Sequence, residues 1–291
     1  MIPTHRPLPH NACDCHVHVF GPAQHYPFDP ARVYTPGEAS VAELDALHLR
    51  LGISRVVLVQ PSVYGIDNSR VLDALADLGP RARAVAVINA RTSEADLDRF
   101  HAAGVRGVRV NIATHGMNDP DEAWRLLLAN AARAERLGWH VQVLTSPGVI
   151  DALAHRLPDL PVPLVIDHFG LVTPGTGLDQ PGFRTLLGLL ATGRMFLKLS
   201  AIERLTGAEA GAALMPFIKT LVAAAPESLV WGSDWPHTGG GRTFGQTAQD
   251  IEPFQPLDDA RAIDVMIASI ADPAVLHQIF VSTPARLYDF A

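Results

Sequence analysis

Residues 12–20 read ACDCHVHVF. This is a short apolar run closed by two histidines one residue apart, the pattern of a strand whose end faces a site. Seven runs of the same kind follow: RVVLVQP at 55–61, ARAVAVIN at 82–89, GVRGVRVN at 104–111, WHVQVLT at 139–145, VPLVIDHF at 162–169, MFLKLS at 195–200 and SLVWGSDW at 228–235. Several are almost continuously apolar, as strands covered on both faces must be. Between them lie stretches with helical spacing, among them VAELDALHLRLG at 41–52, DEAWRLLLANAARAERLG at 121–138 and FRTLLGLLATG at 183–193. Gly52, Gly138 and Gly193 stand where such helices would end in left-handed backbone.

Eight strands alternating with helices are the signature of parallel βαβ units, and they predict an α/β protein closed into a (β/α)8 TIM barrel. An open doubly wound sheet would want a glycine-rich dinucleotide fingerprint after an early strand. Gly239, Gly240 and Gly241 follow the last run instead and lack the spacing. At 291 residues, with no composition shift or linker, the chain is expected to form a single barrel domain over 1–291.

Thirty acidic against 23 basic residues give a net charge of −7, which argues against a nucleic-acid partner. No basic run suggests a membrane surface, no apolar stretch is long enough to span one, and the first residues lack a secretory pattern. The expectation is a cytoplasmic enzyme with a small-molecule substrate; no signal bears on its oligomeric state. Cys13 and Cys15, two residues apart on one strand, lack the geometry for a disulfide. The segments at 21–40 and 236–259 exceed a minimal connection and are expected to lie over the barrel mouth.

In a barrel of this kind, polar residues that end an apolar run are the candidates for chemistry. His16 and His18 end the first run. Strict alternation would put Asp14, His16 and His18 on one face and Cys13, Cys15 and Val17 on the other. An HxH pair offers two imidazoles side by side, suited to holding a metal or polarising a carbonyl. His168 ends VIDHFG and Asp234 ends VWGSDW, and barrel closure would bring Asp234 beside the first strand. Arg109 ends its run where a guanidinium can fork onto a carboxylate. Lys198, inside LKLS, is expected to point inward and pair with an acid, rather than to carry a modified bridging carboxylate.

HxH on the first strand, histidine on the sixth and aspartate on the eighth resemble the amidohydrolase superfamily along nearly the whole chain. CDCHVHVFGP, YTP at 34–36, GVRGVRVN, VIDHFG, GSDWPH and PARLYDF together resemble its 2-pyrone-4,6-dicarboxylate lactonase branch. That resemblance implies metal-free hydrolysis of a lactone, with Asp234 as general base and His16, His18 and His168 around the scissile carbonyl. It also implies Arg109 and Arg204 as holders of substrate carboxylates and Tyr34 as a substrate contact. His115 stands where the branch has a further arginine, and Leu144 where it has a tyrosine.

The expectation is thus a lactonase for a small carboxylated lactone, pyrone-dicarboxylate-like or sugar-acid-derived, with no cofactor. The alternative is an amidohydrolase or decarboxylase holding one zinc ion at His16, His18, His168 and Asp234. A catalytically silent binding barrel would not need a base beside three imidazoles.

Overall fold

The valine-rich runs become eight parallel strands that neighbour one another in chain order: β1 (Cys13–Val17), β2 (Arg55–Val59), β3 (Ala82–Ala86), β4 (Val105–Asn111), β5 (His140–Leu144), β6 (Leu164–Ile166), β7 (Met195–Ser200) and β8 (Leu229–Gly232). The computed structural model describes residues 7–202, 205, 211–243 and 245–291, with backbone alone at 115, 211 and 212. The ring closes just beyond β8, where Val17 bridges Trp235 in parallel. Two backbone bonds seal this seam, His18 N to Trp235 O at 2.8 Å and Asp234 N to His16 O at 2.9 Å.

A helix follows each strand: α1 (Val41–Leu51), α2 (Ser69–Leu78), α3 (Glu94–Ala103), α4 (Pro120–Ala134), α5 (Pro147–Leu153), α6 (Pro181–Leu190), α7 (Gly211–Ala224) and α8 (Asp259–Ser269). Local chemistry sets several of their ends. Ser40 and Glu43 form a capping box at the start of α1, worth about 1 kcal/mol, and Gly52 ends that helix at φ 74°. Helix α4 stops at Ala134, earlier than its spacing suggests, and a 3-10 turn over Glu135–Leu137 carries the chain to Gly138 at φ 65°. Gly193, at φ 72°, lies beyond the end of α6, in the turn that leads into β7.

Alternation sorts the strand residues into two clusters. Val17, Val56, Leu58, Ala84 and Ala86 join the large core shared with the helices. Cys13, Cys15, Val57, Val59, Val85 and Val230 pack inside the ring with Tyr288, from the last helix (Thr283–Tyr288). Both cysteines are free.

Strict alternation fails at one place. A register shift between Asp14 and Val17 lets both Cys15 and His16 serve the interior. Asp14 does not share a face with His16 and His18. It packs outward, 3.3 Å from His48 Nε2 on α1, and accepts the Ser233 N–H at 2.9 Å. Its carboxylate thereby ties β1 to the end of β8.

The two long segments meet above the ring. Thr35 and Pro36 pair in parallel with Ile251 and Glu252, and Thr35 Oγ1 donates to Ala248 O at 2.7 Å. Among the described residues, no helix is long and apolar enough to cross a membrane.

Candidate active site

The three histidines arrive from two strand ends, His16 and His18 from β1 and His168 from just beyond β6, and point at one atom. The Nε2 atoms of His16, His18 and His168 lie 3.7, 3.7 and 3.8 Å from Asp234 Oδ1. The rings of His16 and His18 stand edge-on, 5.1 Å apart, and those of His16 and His168 are 4.6 Å apart. His168 and Asp234 hold left-handed backbone, with φ of 51° and 67°. Such conformations cost a non-glycine residue about 1–3 kcal/mol and gather at functional sites.

The other face of each ring is held from a neighbouring strand. His18 Nδ1 meets Val59 O at 2.8 Å, and His168 Nδ1 meets Ser200 Oγ at 2.8 Å. A carbonyl only accepts, so His18 donates from Nδ1 and presents the lone pair of Nε2 to Asp234. Burial, helped by the charge of Arg109, lowers the His18 pKa to about 3, which keeps that ring neutral.

Beneath the histidines lies a buried polar network. Lys198 Nζ donates to Cys15 O at 2.8 Å and Gln142 Oε1 at 2.7 Å, with His16 Nδ1 at 3.3 Å and Asp167 Oδ1 at 3.8 Å. Burial lowers the Lys198 pKa to about 8, against the opposing charge of Asp167. Asp167 Oδ2 accepts from Arg109 Nε at 3.2 Å and Gln142 Nε2 at 3.1 Å, and its Oδ1 is 3.3 Å from His16 Nδ1. Burial pushes the Asp167 carboxyl up, but Arg109, Lys198 and His168 outweigh it and hold it below the usual range. Lys198 therefore points inward toward an acid, as expected. His140, at the other end of β5, is remote from the mouth and packs edge-on against Tyr288.

A cavity of about 390 Å³ opens above this cluster, lined by His18, His168 and Asp234 together with Arg109, Tyr34 and Leu144. Arg109 is tied through Nε to Asp167, and its Nη groups have no partner among the described residues. The backbone of His115 lies in the 3-10 turn Ala113–His115, next to cavity-lining Thr114; its side chain, like Arg204, lies outside the described residues. Both long segments reach the cavity, through Val33 and Tyr34 on one side and Thr238, Gly239, Arg242 and Glu252 on the other.

Sequence reading missed several of these residues. Asp167 stands next to His168 in VIDHFG with nothing to mark it separately, and Ser200 and the Val59 carbonyl carry no signal of their own. Arg242 and Glu252 become visible only through the pairing of the two mouth segments. In Arg242 the side chain is 38% exposed, with Nε 3.8 Å from Glu252 Oε2.

Imidazole nitrogens and a carboxylate are the donor types a divalent metal takes, and ligand atoms about 2.1 Å from a tetrahedral zinc lie roughly 3.4 Å from one another. His16, His18 and Asp234 lie close enough to hold an ion together. His168 falls in a second such group, with His16 and Asp167.

Comparison with known proteins gives a consistent picture. The sequence pattern of the amidohydrolase family matches residues 13–290. A 2-pyrone-4,6-dicarboxylate hydrolase of Comamonas testosteroni is 36% identical, over 97% of this chain and 91% of its own. A 4-sulfomuconolactone hydrolase of Hydrogenophaga intermedia is 37% identical, over 80% of this chain and 77% of its own. An Agrobacterium tumefaciens protein solved in its apo form superposes with a TM-score of 0.82, at 27% identity, over 98% of each chain. With the family pattern running from the first strand to the last helix, the chain belongs to the amidohydrolase family.

Proposed function

We propose that the chain is a cytoplasmic lactonase that opens the ring of a small carboxylated lactone, acting as one catalytic unit over residues 1–291. The observation that carries this reading is the convergence of three imidazole Nε2 atoms on Asp234 Oδ1, in the same cavity as an arginine whose Nη groups have no partner among the described residues. The lactone hydrolases among its relatives support ring opening as the reaction.

In this reading Asp234 takes a proton from water, and the hydroxide attacks the lactone carbonyl carbon. The ring C–O bond breaks as the tetrahedral adduct collapses, and Asp234 returns its proton to the departing ring oxygen. His16 and His168 face the carbonyl oxygen as its charge grows, where each well-aimed donor supplies roughly 2.7–4 kcal/mol. His18 plays a different part from the one its position in HxH suggests. Its Nε2 lone pair accepts a hydrogen bond and so orients the attacking water. Arg109 grips the substrate carboxylate through both Nη groups, and Tyr34, Arg204 and His115 are assigned to substrate contacts by resemblance.

A divalent metal held by His16, His18, His168 and Asp234 would polarise the same carbonyl as a Lewis acid. We propose that turnover proceeds without it. The test is a panel of carboxylated lactones assayed with wild type and Asp234→Asn, alongside elemental analysis and a chelator arm. Hydrolysis of at least one lactone, its loss in Asp234→Asn and its survival in chelator are expected. Asp234→Asn within about tenfold of wild type would remove that residue as base. A full equivalent of tightly held zinc, with activity lost on its removal, would replace the metal-free reading by the zinc one.

A further inference from the structure

We infer that Lys198 fixes the tautomer of His16, so that the two histidines of HxH present opposite hydrogen-bonding faces, a donor and an acceptor, to one substrate. Lys198 is fully buried, and three acceptors surround its Nζ: Cys15 O at 2.8 Å, Gln142 Oε1 at 2.7 Å and His16 Nδ1 at 3.3 Å. An ammonium has three N–H bonds and no lone pair, so each contact is a donation from lysine. The orientation of Gln142 agrees with this, because its Nε2 donates to Asp167 Oδ2 at 3.1 Å and leaves Oε1 for the lysine.

Asp167 Oδ1 competes for the same ring nitrogen, at 3.3 Å from His16 Nδ1. Distance from the ring does not separate the two partners, but the count of lysine N–H bonds does. Cys15 O and Gln142 Oε1 take two of them, and the third has His16 Nδ1 at 3.3 Å against Asp167 Oδ1 at 3.8 Å. With Nδ1 accepting from the lysine, the one proton left to the His16 ring sits on Nε2. In His18 the order is reversed, because Nδ1 gives its proton to the Val59 carbonyl.

Two rings 5.1 Å apart, each with Nε2 3.7 Å from the same carboxylate oxygen, thus differ in what they offer. His16 supplies an N–H to a carbonyl oxygen that is gaining charge. His18 supplies a lone pair to a water that is losing a proton. The arrangement also biases the cluster against an ion, since a protonated Nε2 cannot ligate. A metal at His16 would need its proton moved to Nδ1 and the Lys198 contact broken. Lys198 touches no substrate in this scheme and is a positioning residue.

The test uses the full chain labelled with 15N at its histidine rings and lysine side chains, treated with chelator, and read by long-range proton–nitrogen correlation. Wild type is expected to show His16 protonated at Nε2 and His18 at Nδ1, with a scalar coupling across the hydrogen bond from Lys198 Nζ to His16 Nδ1. In Lys198→Met, His16 is expected to switch its proton to Nδ1, toward Asp167, while His18 stays unchanged. The kinetic arm rests on the lactonase reading: kcat should fall at least about tenfold, with KM moving less than about threefold. The ring spectra do not depend on that reading, so a protein that hydrolyses no lactone still tests the tautomer. A wild-type His16 protonated at Nδ1, or a tautomer that Lys198→Met leaves unchanged, would overturn the inference. Should the variant not fold, the coupling in wild type decides alone, and its absence counts against Lys198.

Discussion

Replacing Asp167 by asparagine keeps the shape of the side chain and removes its charge from between two buried cations. Arg109 Nε at 3.2 Å and Lys198 Nζ at 3.8 Å would then face each other's field with an amide between them. Breaking a buried ion pair by removing one partner costs about 3–5 kcal/mol, because the remaining charge is left uncompensated. In a chain of this size each kcal/mol moves the melting temperature by about 2 °C, so Asp167→Asn should melt about 6–10 °C below wild type at pH 7. Circular dichroism or calorimetry reads the shift. The difference should also depend on pH in a fixed sense. The folded state holds the Asp167 carboxyl below its ordinary value of 3.8. Its contribution is therefore present in full above that value and fades as pH falls through the folded pKa, so wild type and variant should converge in acid. A melting difference under about 2 °C at pH 7, or one that persists unchanged in acid, would refute the account of Asp167 as the counter-charge of the barrel interior.

Arg109→Met should raise KM for a carboxylated lactone by about thirty- to 150-fold, the equivalent of about 2–3 kcal/mol for a lost charged fork, with kcat little changed; initial rates decide, and an unchanged KM would leave Arg109 as a structural partner of Asp167. Arg242→Gln should raise KM by no more than about fivefold, because that side chain is 38% exposed and screened; a larger effect would show Arg242 gripping substrate as firmly as Arg109. 2-Pyrone-4,6-dicarboxylate should be a poorer substrate than a monocarboxylated lactone, since His115 and Leu144 stand where the resembled branch has an arginine and a tyrosine; kcat/KM across a panel checks this, and the dicarboxylate as best substrate would contradict it. Burial lowers the pKa values of His18 and His140 from 6.5 to about 3, so the unfolded chain takes up protons first and urea midpoints should fall as pH drops across that window; a flat profile there would mean that neither ring is held neutral by the fold.

Much of the scaffold was legible because each valine-rich run is covered on both faces, which leaves little ambiguity about a buried parallel strand. The lengths were less so. β6 keeps only three residues, and the chain turns left-handed at His168, a feature no apolar run announces. The facing of β1 was misjudged at Asp14, because a one-residue shift in register leaves no mark in composition. His16, His18, His168 and Asp234 were legible as polar residues closing apolar runs. What orients them was not. The Val59 carbonyl, Ser200 and Lys198 act from other strands, with Gln142 behind the lysine, and only closing the ring sets the first three beside their histidines.

The seam between β1 and the end of β8 joins the two parts of the site in space after the chain has kept them apart in time. The HxH pair is made before Asp234, yet the bonds that close the ring, His18 to Trp235 and Asp234 to His16, run between those same segments. A chain whose ring has not closed has no Asp234 beside its imidazoles. Hydrolysis would then serve as a clock for the final step of assembly, appearing only when the last strand docks against the first. Asp14, whose carboxylate takes the Ser233 N–H across the seam, adds a side-chain tie to the same closure.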